Sequence, residues 1–180
     1  MSQGLEPGDK ARDFDLPNAN PSGPARCTLS NQITDIGCII VFTCNHCPYV
    51  VGSESRIESV SSRARDEGIG FIAINSNDPD NYPTDNWDHM VSRGEKMSYH
   101  YLHDASQEVA RAWGAERTPE FYLLNGQGTI TYRGRLDDSP KDPNLATTHE
   151  LMDAIDALLA DEQPRTPRTD SIGCSVKWKV

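Results

Sequence analysis

Long apolar runs are missing from this chain of 180 residues, and aromatic side chains make up only 7% of it. No stretch approaches the roughly 20 apolar residues that cross a bilayer as a helix. The opening, Met1 to Asp15, is polar and holds no apolar segment of the kind found in a secretory signal. Positive charge is scarce too. Seventeen Lys and Arg stand against 27 Asp and Glu, a formal net charge of −10, which argues against nucleic acid and anionic membranes as partners. Lysine is the scarcest of the charged types, 5 against 12 Arg, and Asp outnumbers Glu 17 to 10. Such a surface suits a high-salt cytoplasm or simply an acidic soluble protein. There is no internal repeat, phosphate loop or dinucleotide fingerprint. What is left is the expectation of a soluble, cytoplasmic chain, long enough for one domain with a real core.

Five cysteines are present, at positions 27, 38, 44, 47 and 174. A reducing cytoplasm does not favour a structural disulfide framework, so redox chemistry, metal ligation or simple burial must account for them. Cys27 has no partner motif and Cys38 lies inside an apolar run, so both read as structural thiols. Cys44-Asn-His-Cys-Pro48 differs from them in its setting. Ile39 to Phe42 reads as a buried strand ending at Thr43, and Val50, Ile57, Val60 and Ala64 then fall on one helical face. Thiols that open a helix meet free N–H groups and the positive end of its dipole, which favour a thiolate. A second thiol three residues on can close an intramolecular disulfide and release a trapped partner. On this reading Cys44 attacks and Cys47 resolves, with Cys44 the more acidic and the more exposed. His46 either adds positive charge beside Cys44 or is a solvated loop histidine. A zinc or copper carrier stays open as an alternative, because His46 and Cys174 could complete the two ligands of a Cys-x-x-Cys. No cofactor is required, and no metal is assigned to the pair.

The rest of the chain reads as follows. Phe14 and Leu16 alternate like a short strand, Arg26 to Leu29 like a second, and Phe71 to Ile74 is another run buried on both faces. Strand, helix and strand at this spacing make a βαβ unit. Trp87, Met90, Val91 and Met97 suggest a helix, and Tyr99 to Leu102 a short strand. Asp104-Ala-Ser-Gln107 and Thr147-Thr-His-Glu150 have capping-box spacing before two further helices, the second carried by Leu151, Ala154, Ile155, Leu158 and Leu159. Phe121 to Leu124 and Thr129 to Tyr132 flank a hairpin turn at Asn125-Gly-Gln-Gly128. Asp137-Asp138 reads as a solvated turn, Glu120 as a surface carboxylate, and His89, His100, His103 and His149 as surface or structural. The domain is expected to span residues 1–160, with 161–180 a linker and an apolar tail docking on it.

These residues together resemble the thioredoxin-fold superfamily, and within it the peroxiredoxin-like branch of the alkyl hydroperoxide reductase and thiol-specific antioxidant family that carries Cys-x-x-Cys. The resemblance rests on Pro7-Gly-Asp-Lys-Ala-Arg-Asp-Phe-Asp-Leu-Pro17, Cys44-Asn-His-Cys-Pro-Tyr-Val50, Ala73-Ile-Asn-Ser-Asn-Asp78, Thr118-Pro-Glu-Phe121, Tyr132-Arg-Gly-Arg-Leu-Asp-Asp138 and Ser171-Ile-Gly-Cys174. It implies an α/β thioredoxin-like fold, a central mixed sheet flanked by helices, with an added N-terminal β-hairpin. It further implies a cis peptide bond before Pro119 and a substrate groove shaped by Thr43, His46, Thr118 and Pro119. The expected partners are protein or small-molecule disulfides and thiols, with peroxides as the alternative substrate, and a thiol reductant. Two departures weigh against a peroxidase. Val41 stands where peroxiredoxins place Thr, with Thr43 next to Cys44 instead, and Cys47 occupies a spacer that normally lacks a second cysteine. Arg117 lies near where that family's thiolate-stabilising arginine approaches, or is an ordinary surface arginine. Cys174 either reaches the active site and bridges Cys47 or Cys44, or sits at a sheet edge as an incidental thiol.

Overall fold

The computed structural model describes residues 4–180. A short antiparallel pair, β1 (Asp15–Pro17) and β2 (Arg26–Thr28), leads into helix α1 (Leu29–Gln32) and strand β3 (Gly37–Thr43). Helices α2 (Pro48–Val51) and α3 (Glu54–Asp66) follow, then β4 (Gly70–Asn75), α4 (Trp87–Gly94), β5 (His100–His103) and α5 (Glu108–Trp113). The chain continues through β6 (Arg117–Thr118), β7 (Glu120–Asn125), β8 (Ile130–Gly134), α6 (Glu150–Leu159) and β9 (Cys174–Ser175). The central sheet is mixed, in the order β5-β4-β3-β7-β8, with β3 parallel to β4 and antiparallel to β7. This is the α/β arrangement of the thioredoxin-like fold, with the N-terminal hairpin in place.

Alternation along the central strand explains why it reads as one continuous apolar run. Ile39 and Val41 face Ile57, Val60, Met90, Leu151 and Ile155, from α3, α4 and α6. Cys38, Ile40 and Phe42 point the other way, toward Phe14, Leu29, Ala110, Trp113 and Tyr122. Period-two side chains need an apolar residue at every position when both faces are covered. Cys27 and Cys38 belong to this second cluster, and burial pushes the Cys38 thiol up to about 12. Both are packing residues.

Several local expectations are corrected. The helix after the cysteines breaks at Gly52–Ser53. A Cβ on Gly52 would lie 2.9 Å from Lys141 Cα, and the Ser53 hydroxyl donates to Pro140 O at 2.7 Å, so the loop at residues 140–141 wedges against the break. The Asp104 box does not start a helix at once. Gln107 is the N-cap of α5, and the Asp104 carboxylate accepts from Val109 and Ala110 N–H at 3.3 and 2.9 Å from outside. Thr147 is not a cap either, because its N–H and that of Thr148 donate to Asp138 at 2.8 and 3.1 Å. Asp137 is buried rather than solvated, since Arg56 donates to it at 2.5 Å. Glu120 is not a surface group but is buried against Arg133.

Residues 161–180 lie against the body. Pro167 O and Thr169 N–H bond the backbone of Arg133, and Val176 N–H donates to Glu116 O at 2.9 Å. Lys177 is held from both sides, its N–H by Asn77 Oδ1 at 2.9 Å and its carbonyl by Asp78 N–H and the Gln107 amide. Trp178 packs on the second cluster with the Arg111 guanidinium 4.6 Å from its ring centroid. Among the described residues no helix is long and apolar enough to cross a membrane.

Candidate active site

Strand β3 delivers Cys44 at its carboxyl end, and Cys47 is the N-cap of α2 with Pro48 in the first helical position. Proline suits that position because the missing N–H has no helical acceptor there. The two sulfurs converge on one residue of the neighbouring strand. Thr118 Oγ1 lies 3.5 Å from Cys44 Sγ, and Thr118 O accepts from Cys47 Sγ, also at 3.5 Å. The Thr118–Pro119 bond is cis. On its other edge, β6 pairs antiparallel with β9, which sets Cys174 directly opposite Thr118. The sequence therefore brings Cys44, Cys47, Thr118 and Cys174 into one cluster.

The two active thiols are equally buried, each 1% exposed. They pack in one cluster and interact, so the first ionisation belongs to the pair. The neighbouring Cys44 and, after it, Cys174 hold the Cys47 thiol below the ordinary cysteine value. Val50 N–H is satisfied by Cys47 O at 3.0 Å, so the N-cap serves the helix through its backbone and not through its sulfur. The neighbouring Cys47, burial and the nearby Asp85 carboxylate push the Cys44 thiol up, with Thr118 and the His46 N–H partly offsetting these. Burial and the Cys47 sulfur push Cys174 up as well. The expectation that Cys44 is the more exposed thiol does not hold, because the two are equally buried.

The loop between the cysteines is fixed by a carboxylate absent from the sequence reading. Asp85 is fully buried and accepts from Asn45 N at 2.8 Å, Asn75 Nδ2 at 3.0 Å and Asn77 Nδ2 at 3.1 Å. Asn45 is held further by Tyr101, whose hydroxyl donates to Asn45 Oδ1 at 2.6 Å. Asn75 and Asn77 belong to the quoted strand-end motif, but Asp85 follows in a loop without a pattern of its own. His46 Nδ1 lies 3.0 Å from Asp85 Oδ2, and the ring stacks on Tyr82 at an interplanar angle of 3°. Cys44, His46 and Asp85 offer donor atoms within 4.8 Å of one another, a set that could hold a metal ion.

An Asp85→Asn variant is expected to ease the ionisation of Cys44, shifting its titration to lower pH, because a like charge beside it is removed. Thiolate absorbance against pH reads this directly. Stability should fall by about 1–3 kcal/mol, since an amide cannot accept from all of the same donors. An unshifted titration contradicts the assignment.

The remaining candidates lie near the cluster rather than in it. Thr43 is buried at the end of β3, opposite Asn75 in β4. Arg117 is exposed and donates to Gly173 O at 3.2 Å. Pro119 joins β6 to β7. Gly173 permits the close approach of the tail, because a Cβ there would lie 2.0 Å from Thr118 O. Gly173→Ala should therefore unpair β9 from β6. Hydrogen exchange at Cys174 and Ser175 is expected to accelerate, and unchanged protection contradicts the packing.

Residues 6–149 match the family described as Redoxin. A crystal structure of an uncharacterised conserved protein from Geobacillus kaustophilus shares 35% identity, covers 99% of this chain and 95% of its own, and superposes with a TM-score of 0.89. A hypothetical protein from Sinorhizobium meliloti 1021 shares 32% identity over 99% of this chain and 98% of its own, at 0.88. The C-terminal domain of a putative thiol-disulfide oxidoreductase from Bacteroides thetaiotaomicron is 21% identical over 87% of this chain and 97% of its own, at 0.63, which shows the shared fold. No curated protein matches the chain.

Proposed function

The chain belongs to the redoxin family, and from that premise we propose that it is a thiol–disulfide oxidoreductase whose Cys44 and Cys47 pass between dithiol and disulfide. The observation that carries this reading is that the two sulfurs pack in one cluster and both lie 3.5 Å from Thr118. A thiolate, a neighbouring thiol and a strand edge are what exchange requires. A thiolate of the site attacks the incoming disulfide; a mixed disulfide forms and one substrate sulfur leaves as a thiolate. Closure of the Cys44–Cys47 disulfide then releases the second substrate sulfur. The substrates are protein or small-molecule disulfides, and a thiol reductant of a reducing cytoplasm returns the pair to the dithiol.

A peroxidase has weaker support. Such an enzyme needs donors oriented on both peroxide oxygens. Val41 is packed in the core, and Arg117 is engaged with Gly173 O. The reduced protein should react with hydrogen peroxide below about 10⁵ M⁻¹s⁻¹, short of efficient-enzyme rates, and should reduce a protein disulfide under the same conditions. Stopped-flow comparison of the two substrates tests this, and fast peroxide oxidation without disulfide reduction reverses the assignment. The donor set of Cys44, His46 and Asp85 supports metal carriage as a separate reading. Metal content of protein purified under reducing conditions distinguishes it from exchange.

A further inference from the structure

The pair meets its substrates under a constraint: both of its sulfurs are buried, and a disulfide arrives from solvent. Among the described residues, Cys174 is the partly exposed thiol, and it packs against the cluster of Cys44, Cys47 and Val50. We propose that Cys174 is a third catalytic thiol, the sulfur through which the buried Cys44–Cys47 pair exchanges electrons with its partners. The proposal rests on the exchange reading above.

Three features place Cys174 in that role. Its register opposite Thr118 puts it on the residue that contacts both sulfurs of the pair. Gly173 lets the tail strand lie against Thr118 at a distance that a side chain would prevent. The tail is anchored beyond the strand at Val176, Lys177 and Trp178, so the thiol is held in place and not left on a loose end. A cleft of about 490 Å³, lined in part by Tyr49, Arg117, Ser171 and Gly173, opens beside it and gives a partner room to approach.

The sequence of bonds balances. Cys174 gives its proton to the Cys47 sulfur it already contacts and attacks the external disulfide. A bond forms between Cys174 Sγ and one substrate sulfur, the substrate S–S bond breaks, and the other sulfur leaves, taking up that proton. Cys47, again a thiolate, attacks Cys174 Sγ. A Cys47–Cys174 disulfide forms and the second substrate sulfur leaves as a thiolate. Cys44 then attacks Cys47 Sγ, the Cys44–Cys47 disulfide forms, and Cys174 departs carrying the proton that Cys44 gave up. The substrate has gained two electrons, the pair has lost two, and Cys174 ends as it began.

Two variants test this with glutathione disulfide as the probe. In Cys44→Ser the final step is blocked, so oxidation, acid quenching, alkylation and peptide mass mapping should find Cys47 linked to Cys174. The link should be lost when Cys174→Ser is added. In Cys174→Ser alone, oxidation should slow roughly tenfold or more, because exchange rates follow access to the attacking thiol, while the Cys44–Cys47 disulfide still forms at equilibrium. An absent Cys47–Cys174 link in Cys44→Ser, or an unchanged rate in Cys174→Ser, overturns the proposal. If the Cys44–Cys47 disulfide forms regardless, the exchange reading survives that failure. If no intramolecular disulfide forms in the wild-type chain, both fall.

Discussion

Replacing Arg133 with methionine is expected to cost about 3–5 kcal/mol of stability, the usual penalty for removing one partner of a buried ion pair. Arg133 sits on β8, and its guanidinium is 1% exposed. It donates to Glu120 Oε2 at 3.0 Å, Leu5 O at 3.0 Å and Gly114 O at 2.6 Å, and lies 5.1 Å from the Tyr122 ring centroid. Methionine can fill much of the volume but leaves the Glu120 carboxylate without its cation and two carbonyls without their donor. The damage should extend to the active site. Glu120 follows Pro119 directly, and its other oxygen accepts from Glu116 N at 2.8 Å, so the pair braces both ends of β6. Adding Glu120→Gln to the methionine variant removes the buried charge and should restore part of the loss. Urea unfolding of the three variants checks this, and a loss below about 1 kcal/mol for Arg133→Met, the range of exposed ion pairs, contradicts the account.

Cys47→Ala is expected to reduce disulfide exchange by about a thousandfold or more, the scale of removing an essential nucleophile. Cys44→Ala should accumulate disulfides on Cys47 that it cannot pass on, with the Cys47 thiol closer to ordinary cysteine acidity than in the wild type. In the wild type Cys44 and, after it, Cys174 hold the Cys47 thiol low. Reactivity toward an alkylating agent should therefore persist as pH falls through the range where an ordinary cysteine protonates, and fade only in more acidic solution. Peptide mass mapping after timed alkylation reads both sulfurs at once. Preferential labelling of Cys44 near neutral pH contradicts the placement of the charge.

The parts of this structure that were legible in the sequence are those written in local pattern. Ile39 to Phe42 reads as a doubly covered strand because its neighbours on both faces are apolar, and strand β3 is buried along its length. Cys44 and Cys47 stand out because they follow that strand, and Thr118-Pro119 because it precedes the next hairpin. What escaped depends on a single residue of register or on distant pairing. Whether α2 begins at Cys44 or at Pro48 is a matter of a few residues, yet it decides which cysteine is the N-cap. Glu120 reads as exposed until β7 and β8 pair and bring Arg133 to it across 13 positions. Asp85 sits in a turn without periodicity, and its role appears only when Asn45, Asn75 and Asn77 converge on it. The apolar tail hints at docking, but its strand register against Thr118 is a property of the fold.

The central claim is that Cys44 and Cys47 form a reversible redox pair, and a redox titration tests it most directly. The protein is equilibrated across a series of reduced and oxidised glutathione ratios, quenched in acid, alkylated and mapped by mass. The account predicts a single two-electron transition in the monomer, with Cys44 and Cys47 losing their alkylation together as a Cys44–Cys47 linked peptide appears, and with Cys27 and Cys38 free of disulfide throughout. A chain in which Cys44 and Cys47 both stay fully alkylated at every ratio, including the most oxidising, would contradict it.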